Sequence, residues 1–127
     1  MTSKITDTLY LGDLRDSHNF SFPMIPVQSI IDLTGWYIEE DIENKEDTTL
    51  WKVYRMLANN NLYKIPTLVH CHAGIDRSPF IVAWFLHKHM GMTPDDAYNL
   101  VKQRHPQTII HDDWMKIFVD IEVSEVK

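Results

Sequence analysis

A chain of 127 residues with 44% hydrophobic, 24% charged and 11% aromatic content has room for one folded domain, residues 1–127, with a core that needs no disulfide staples. Its one cysteine, Cys71, excludes an intrachain disulfide, argues against a cysteine-based zinc site, and fits a reducing, cytoplasmic localisation. The net charge of −6 argues against nucleic-acid or acidic-membrane partners, which need a basic face, and neither an apolar run of ~18 residues nor an N-terminal signal core is present.

No internal repeat or low-complexity tract divides the chain. Ile5 to Leu11 is β-prone and closed by Gly12-Asp13, which predicts a strand and then a turn. Pro23 and Pro26 punctuate a loop before Ser29-Ile30-Ile31-Asp32-Leu33, a short apolar run closed by Thr34-Gly35 that suits a buried strand. Glu39 to Asp47 is acidic without apolar period and reads as an exposed loop. Helical spacing appears in Leu50, Val53, Tyr54 and Leu57, and this reading ends it at Asn59-Asn60-Asn61.

Pro66 to His70 is a third strand, too short and proline-bounded for a helix. From Ser78 to His89 the chain is apolar nearly all round, as a central buried helix is. Pro79 is tolerable in its first turn and Gly91 is its expected cap. Thr93-Pro94-Asp95-Asp96 starts another helix with a capping hydroxyl, a proline at the first position and acids facing the dipole. Ala97, Leu100 and Val101 form its buried stripe, and His105-Pro106 stops it. A last helix opens at Asp112-Asp113 and carries Trp114, Ile117, Phe118 and Ile121. Mixed strands and helices place the chain in the α/β class.

The segment with chemical content is His70-Cys71-His72-Ala73-Gly74-Ile75-Asp76-Arg77-Ser78-Pro79, between the third strand and the buried helix. Such a loop can turn its backbone N–H groups inward and add those of the helix start, making a nest for a tetrahedral dianion. Gly74 permits the tight turn. Arg77 can grip two phosphate oxygens with its planar fork. Cys71, at the floor of the nest, faces the helix dipole, the N–H groups and Arg77. All three favour a thiolate, the nucleophilic form.

His-Cys-x5-Arg-Ser with glycine third after the cysteine is similar to the signature of protein tyrosine phosphatases. The Arg-Ser-Pro ending and small size resemble the dual-specificity branch. Weaker similarity covers Leu9-Tyr10-Leu11-Gly12-Asp13, Ile30-Ile31-Asp32-Leu33-Thr34, and Ala97 through Arg104. The resemblance implies a central, mostly parallel sheet flanked by helices, with the phosphate loop between a core strand and a buried helix. It implies a phosphomonoester hydrolase acting on phosphoproteins, without metal or other cofactor. Cys71 would attack phosphorus and become a phosphocysteine, Arg77 would hold the equatorial oxygens, and Ser78 would help the sulfur leave. His72, Ala73, Gly74, Ile75 and Asp76 would line the substrate cradle with Arg77, and His70 would brace the loop backbone.

The resemblance also implies a general-acid Asp upstream. Asp41 lies 30 positions before Cys71; Asp47, Glu39, Glu40 and the loop's own Asp76 are rivals. The asparagine that often follows the late helix in dual-specificity enzymes is replaced by Gln107-Thr108.

Blander readings compete. Cys71 could be an inert buried thiol, or the loop could read phosphate without turnover. A sulfurtransferase loop normally has one residue fewer between Cys and Arg. His70, His72, His87, His89, His105 and His111 suggest a metal, but His87 and His89 do not share a helix face, so structural or surface roles are expected. Trp84-Phe85-Leu86 reads as core. The cradle carries no lysine, and Asp76 adds negative charge, which opposes polyphosphorylated lipids and favours a single phosphate on a protein side chain, phosphotyrosine first. Phosphoserine, phosphothreonine and phosphoinositide substrates remain the alternatives.

Overall fold

The computed structural model describes residues 3–12, 28–34, 49–71, 76–111 and 114. Its elements are β1 (Ser3–Lys4), β2 (Leu9–Gly12), β3 (Ser29–Asp32), α1 (Thr49–Leu62), β4 (Thr67–His70), α2 (Arg77–Met90) and α3 (Pro94–Arg104). The strands make one sheet in the order β1-β2-β4-β3. β4 lies between two parallel neighbours, with Val69 opposite Leu11 on one side and Ile31 on the other. All four β4 residues are buried, which is why this strand reads as continuous rather than alternating. β3 alternates instead, with Ile31 buried and Ile30 turned outward. The mostly parallel sheet with helices beside it is the α/β arrangement expected.

Two element boundaries differ from the sequence reading. Of the strand expected over Ile5–Leu11 only Leu9–Leu11 is strand, within β2, which pairs antiparallel with the preceding β1 across the connection Ile5-Thr6-Asp7-Thr8. Ile5 and Thr6 both donate their N–H groups to the Leu9 carbonyl, at 2.8 and 3.2 Å, and the Thr8 N–H donates to Thr6 Oγ1 at 3.4 Å. Short polar side chains that bond nearby backbone favour such a turn over continued strand. Gly12 is the last residue of β2, and the turn expected from Asp13 lies outside the described residues.

The second difference is α1, which continues through Asn59-Asn60-Asn61 to Leu62. Asn60 Nδ2 donates to Ser29 Oγ and Thr67 Oγ1, both at 3.1 Å, and Thr8 Oγ1 donates to Asn61 Oδ1 at 3.3 Å. These contacts with two strands and the β1–β2 connection outweigh the poor helix propensity of asparagine, a matter of tenths of a kcal/mol per residue. Two residues beyond the helix end, Lys64 takes a left-handed φ of 55°.

α2 is buried from Ser78 to Leu86. Its Trp84 meets Trp51 of α1 edge-on, with ring centroids 4.9 Å apart. Truncating so large a core side chain costs about 3–5 kcal/mol. Gly91 closes the helix in the left-handed region at φ 73°, its N–H donating to the Leu86 carbonyl. Thr93 Oγ1 caps α3 by accepting the Asp96 N–H at 3.1 Å, with Pro94 first in the helix. His105 follows α3 fully buried, its Nδ1 2.6 Å from Ser3 Oγ. Trp114 is helical; Ile117, Phe118, Ile121, the Glu39–Asp47 stretch and the Pro23/Pro26 loop lie outside the described residues. Among the described residues no helix is long and apolar enough to cross a membrane.

Candidate active site

A buried strand running directly towards a buried helix leaves one place where polar backbone can converge: the strand's C-terminal end facing the helix's N-terminal end. Cys71 immediately follows β4, and Arg77 opens α2. The thiol is 1% exposed. Its Sγ lies 3.3 Å from Ser78 Oγ, also buried, close enough for the hydroxyl to donate to sulfur.

Arg77 reaches across to the end of β3. Its Nη1 donates to the Thr34 carbonyl at 2.9 Å and to the Leu33 carbonyl at 3.5 Å. Leu33 donates its own N–H to the His70 carbonyl at 2.8 Å, which joins the two strand ends beneath the guanidinium. His70 is buried, and its Nδ1 hydrogen-bonds the Cys71 carbonyl at 3.4 Å. Its Nε2 faces Asp32 Oδ1 at 3.7 Å. The Thr34 N–H, donating to Asp32 Oδ1 at 2.8 Å, holds that carboxyl below the usual carboxylate range. The Thr34 hydroxyl and the His70 charge act in the same direction, and slight burial opposes them.

Asp76 has partners on both oxygens. Oδ1 accepts the Arg77 backbone N–H at 2.7 Å, and Oδ2 lies 3.3 Å from His111 Nε2. The His111 ring packs on Trp114 with centroids 4.1 Å apart, and Trp114 meets Phe80 edge-on at 5.6 Å. The phenol of Tyr98 is pushed far above its usual range, first by burial and then by the Asp76 charge.

The structure thus gathers Cys71, Arg77, Ser78, His70 and Asp76 around one strand-to-helix junction. His72, Ala73, Gly74 and Ile75 lie outside the described residues, as do Asp41, Asp47, Glu39 and Glu40. His87, His89 and His105 have structural partners: the Met92 carbonyl, Tyr54 with Phe85, and Ser3. Among the described residues no three His, Cys, Asp or Glu side chains gather as metal ligands.

Sequence reasoning missed the Leu33 and Thr34 carbonyls as the rest for Arg77, Asp32 as the partner of His70, and His111 as the partner of Asp76. No local spacing announces these pairs. His111 stands 35 positions from Asp76, and Thr34 43 positions from Arg77.

Residues 11–123 match the family described as dual specificity phosphatase, catalytic domain. The chain is 54% identical over 39 residues to human dual specificity protein phosphatase 8, a stretch that is 31% of this chain and 6% of that much longer protein. It is 28% identical over 116 residues to the putative tyrosine phosphatase 123R of Invertebrate iridescent virus 6, covering 80% of this chain and 78% of the viral one. The structure is similar to that of a leucine rich repeat and phosphatase domain containing protein from Entamoeba histolytica. There the TM-score is 0.77 at 16% identity, covering 96% of this chain and 90% of the other.

Proposed function

The chain belongs to the dual specificity phosphatase catalytic-domain family, and on that premise we propose that it hydrolyses phosphomonoesters on proteins through a phosphocysteine intermediate. The reading is carried by one observation: a buried Cys71 Sγ at the junction of β4 and α2, with Ser78 Oγ at 3.3 Å and Arg77 opening the helix. The whole of residues 1–127 is proposed as one catalytic unit.

In the first step the Cys71 thiolate forms an S–P bond as the P–O bond to the leaving group breaks. Asp41 gives the leaving oxygen its proton. In the second step water attacks phosphorus, its proton passes to the Asp41 carboxylate, and the S–P bond breaks to release inorganic phosphate. The Ser78 hydroxyl donates to the departing sulfur. Arg77 holds the equatorial oxygens and their growing charge. Its Nη1 rests on the Thr34 and Leu33 carbonyls, which hold the guanidinium beside the loop. His70 braces the Cys71 carbonyl from beneath. Asp41 is assigned the acid's role over Asp76 because both Asp76 oxygens already have partners.

Phosphorylated proteins are the proposed partners, with phosphotyrosine the first choice. The described loop residues add Asp76 and no lysine, and the chain carries a net charge of −6, which disfavours polyanionic headgroups. The single cysteine supports a reducing, cytoplasmic setting. The test compares kcat/KM for phosphotyrosine peptides, phosphothreonine peptides and a phosphoinositide, in chelator and at matched ionic strength. Chelator-resistant turnover with phosphotyrosine preferred is expected. A phosphoinositide preference overturns the protein-substrate assignment, and oxyanion binding without turnover on any substrate makes the chain a phosphate-reading module.

A further inference from the structure

A carboxylate at the mouth of an anion site opposes the charge the site attracts. Asp76 immediately precedes Arg77 and caps the helix that borders the proposed anion site. Its Oδ1 caps the Arg77 N–H at 2.7 Å, at the N-terminal end of α2. A bound phosphate would bring roughly two negative charges to the same end. His111 faces the other Asp76 oxygen at 3.3 Å. Its ring is held by Trp114, which in turn packs on the fully buried Phe80 of α2. The imidazole is therefore fixed by the aromatic core. Its side chain is still 39% exposed, so protons reach it from solvent.

We propose that His111 is a pH-sensitive charge compensator for the phosphate site. Protonated, it neutralises Asp76 and the site holds an oxyanion well; neutral, it leaves the Asp76 charge opposing the bound dianion. Imidazoles change charge near neutrality, so oxyanion affinity falls as pH rises through that range. The inference rests on the phosphatase reading and adds to it a regulation of substrate affinity.

The other ionisable groups around the pair come from several elements. Arg77 opens α2 beside Asp76. Tyr98 of α3, in the field of Asp76, stays neutral because burial pushes its phenol far upward. Cys71 and His70 lie at the end of β4, with Asp32 at the end of β3. Lys102 of α3 donates to the Thr108 carbonyl on the segment leading to His111, and Asp112 and Asp113 follow His111 in sequence. These groups are common to wild type and variants, so comparison at each pH removes their titrations.

Tungstate held at micromolar concentration, where it stays a monomeric tetrahedral dianion instead of condensing in mild acid, is the probe. Its affinity is measured on the full chain across about pH 5 to 8 for wild type, His111→Gln, Asp76→Asn and the double variant, alongside kcat and KM for an aryl phosphate. At the acid end wild type should bind about two- to fivefold more tightly than His111→Gln, the size of one screened charge. The ratio should close towards one at the alkaline end. Asp76→Asn should bind more tightly than wild type at the alkaline end, and the effect of His111→Gln should be smaller in that background.

Parallel pH profiles for wild type and His111→Gln, or an undiminished His111 effect without Asp76, overturn the proposal. If His111→Gln fails to fold, Asp76→Asn alone decides: a pH profile that follows wild type overturns the proposal. Wild type that neither turns over substrate nor binds tungstate overturns the phosphatase reading, and this inference with it.

Discussion

Cys71 Sγ and Ser78 Oγ lie 3.3 Å apart although seven positions separate them, because β4 delivers one and the first turn of α2 delivers the other. Both are buried, so the hydroxyl's contact is with sulfur rather than with solvent. Ser78→Ala should leave the fold intact and slow the second chemical step, costing about 10²-fold in kcat. Phosphocysteine should then accumulate, visible as a burst of leaving group and a mass increase on the protein. Steady turnover without a burst would remove Ser78 from that step.

Cys71→Ser should abolish turnover while preserving oxyanion binding. A hydroxyl holds its proton far more tightly than a thiol, so this environment cannot supply the anionic nucleophile. Tungstate titration and a thermal melt check that site and fold survive. More than a trace of residual activity would reassign the nucleophile.

Arg77→Lys should lose about 10²–10³-fold in kcat/KM, since a point charge replaces the planar fork. Lysine also cannot reproduce the span to the Thr34 and Leu33 carbonyls. Steady-state kinetics on an aryl phosphate measure the effect, and near-wild-type rates would sink the assignment.

Asp41→Asn should cost about 10²–10³-fold on substrates with poor leaving groups and much less on an activated aryl phosphate that leaves without a proton. Asp76→Asn should show no such dependence on the leaving group. If the pattern appears in Asp76→Asn and not in Asp41→Asn, the acid lies in the phosphate loop.

Asp32 gives a stability prediction with a definite sign. Its carboxyl is held below the usual range by Thr34, with His70 assisting. A depressed folded-state value contributes stability that is full above the unfolded value of about 3.9 and is lost as pH falls through the folded value. The advantage of wild type over Asp32→Asn should therefore shrink in acid. The effect is small, because the side chain is 58% exposed and screened by solvent. Denaturant melts from about pH 2 to 7 measure it, and a difference that grows towards acid would contradict this origin.

What was legible in the sequence was what neighbouring residues decide together. The Thr93 cap, the proline after it and the left-handed Gly91 are each set within one helical turn, so local chemistry names them. The continuous apolar runs of β4 and α2 announced burial on every side. The proposed phosphate loop stands out for the same reason, since strand end, cysteine, arginine and hydroxyl lie within nine consecutive residues, 70–78. Tertiary structure decided where distant residues meet. Asn60 and Asn61 are helical because Ser29, Thr67 and Thr8 arrive to bond them. Arg77 rests on Thr34, and Asp76 meets His111, because sheet order and aromatic packing bring those backbones within reach. A hydrogen bond spans about 3 Å whatever the separation along the chain, so periodicity and capping rules carry no information about which distant partner will be there.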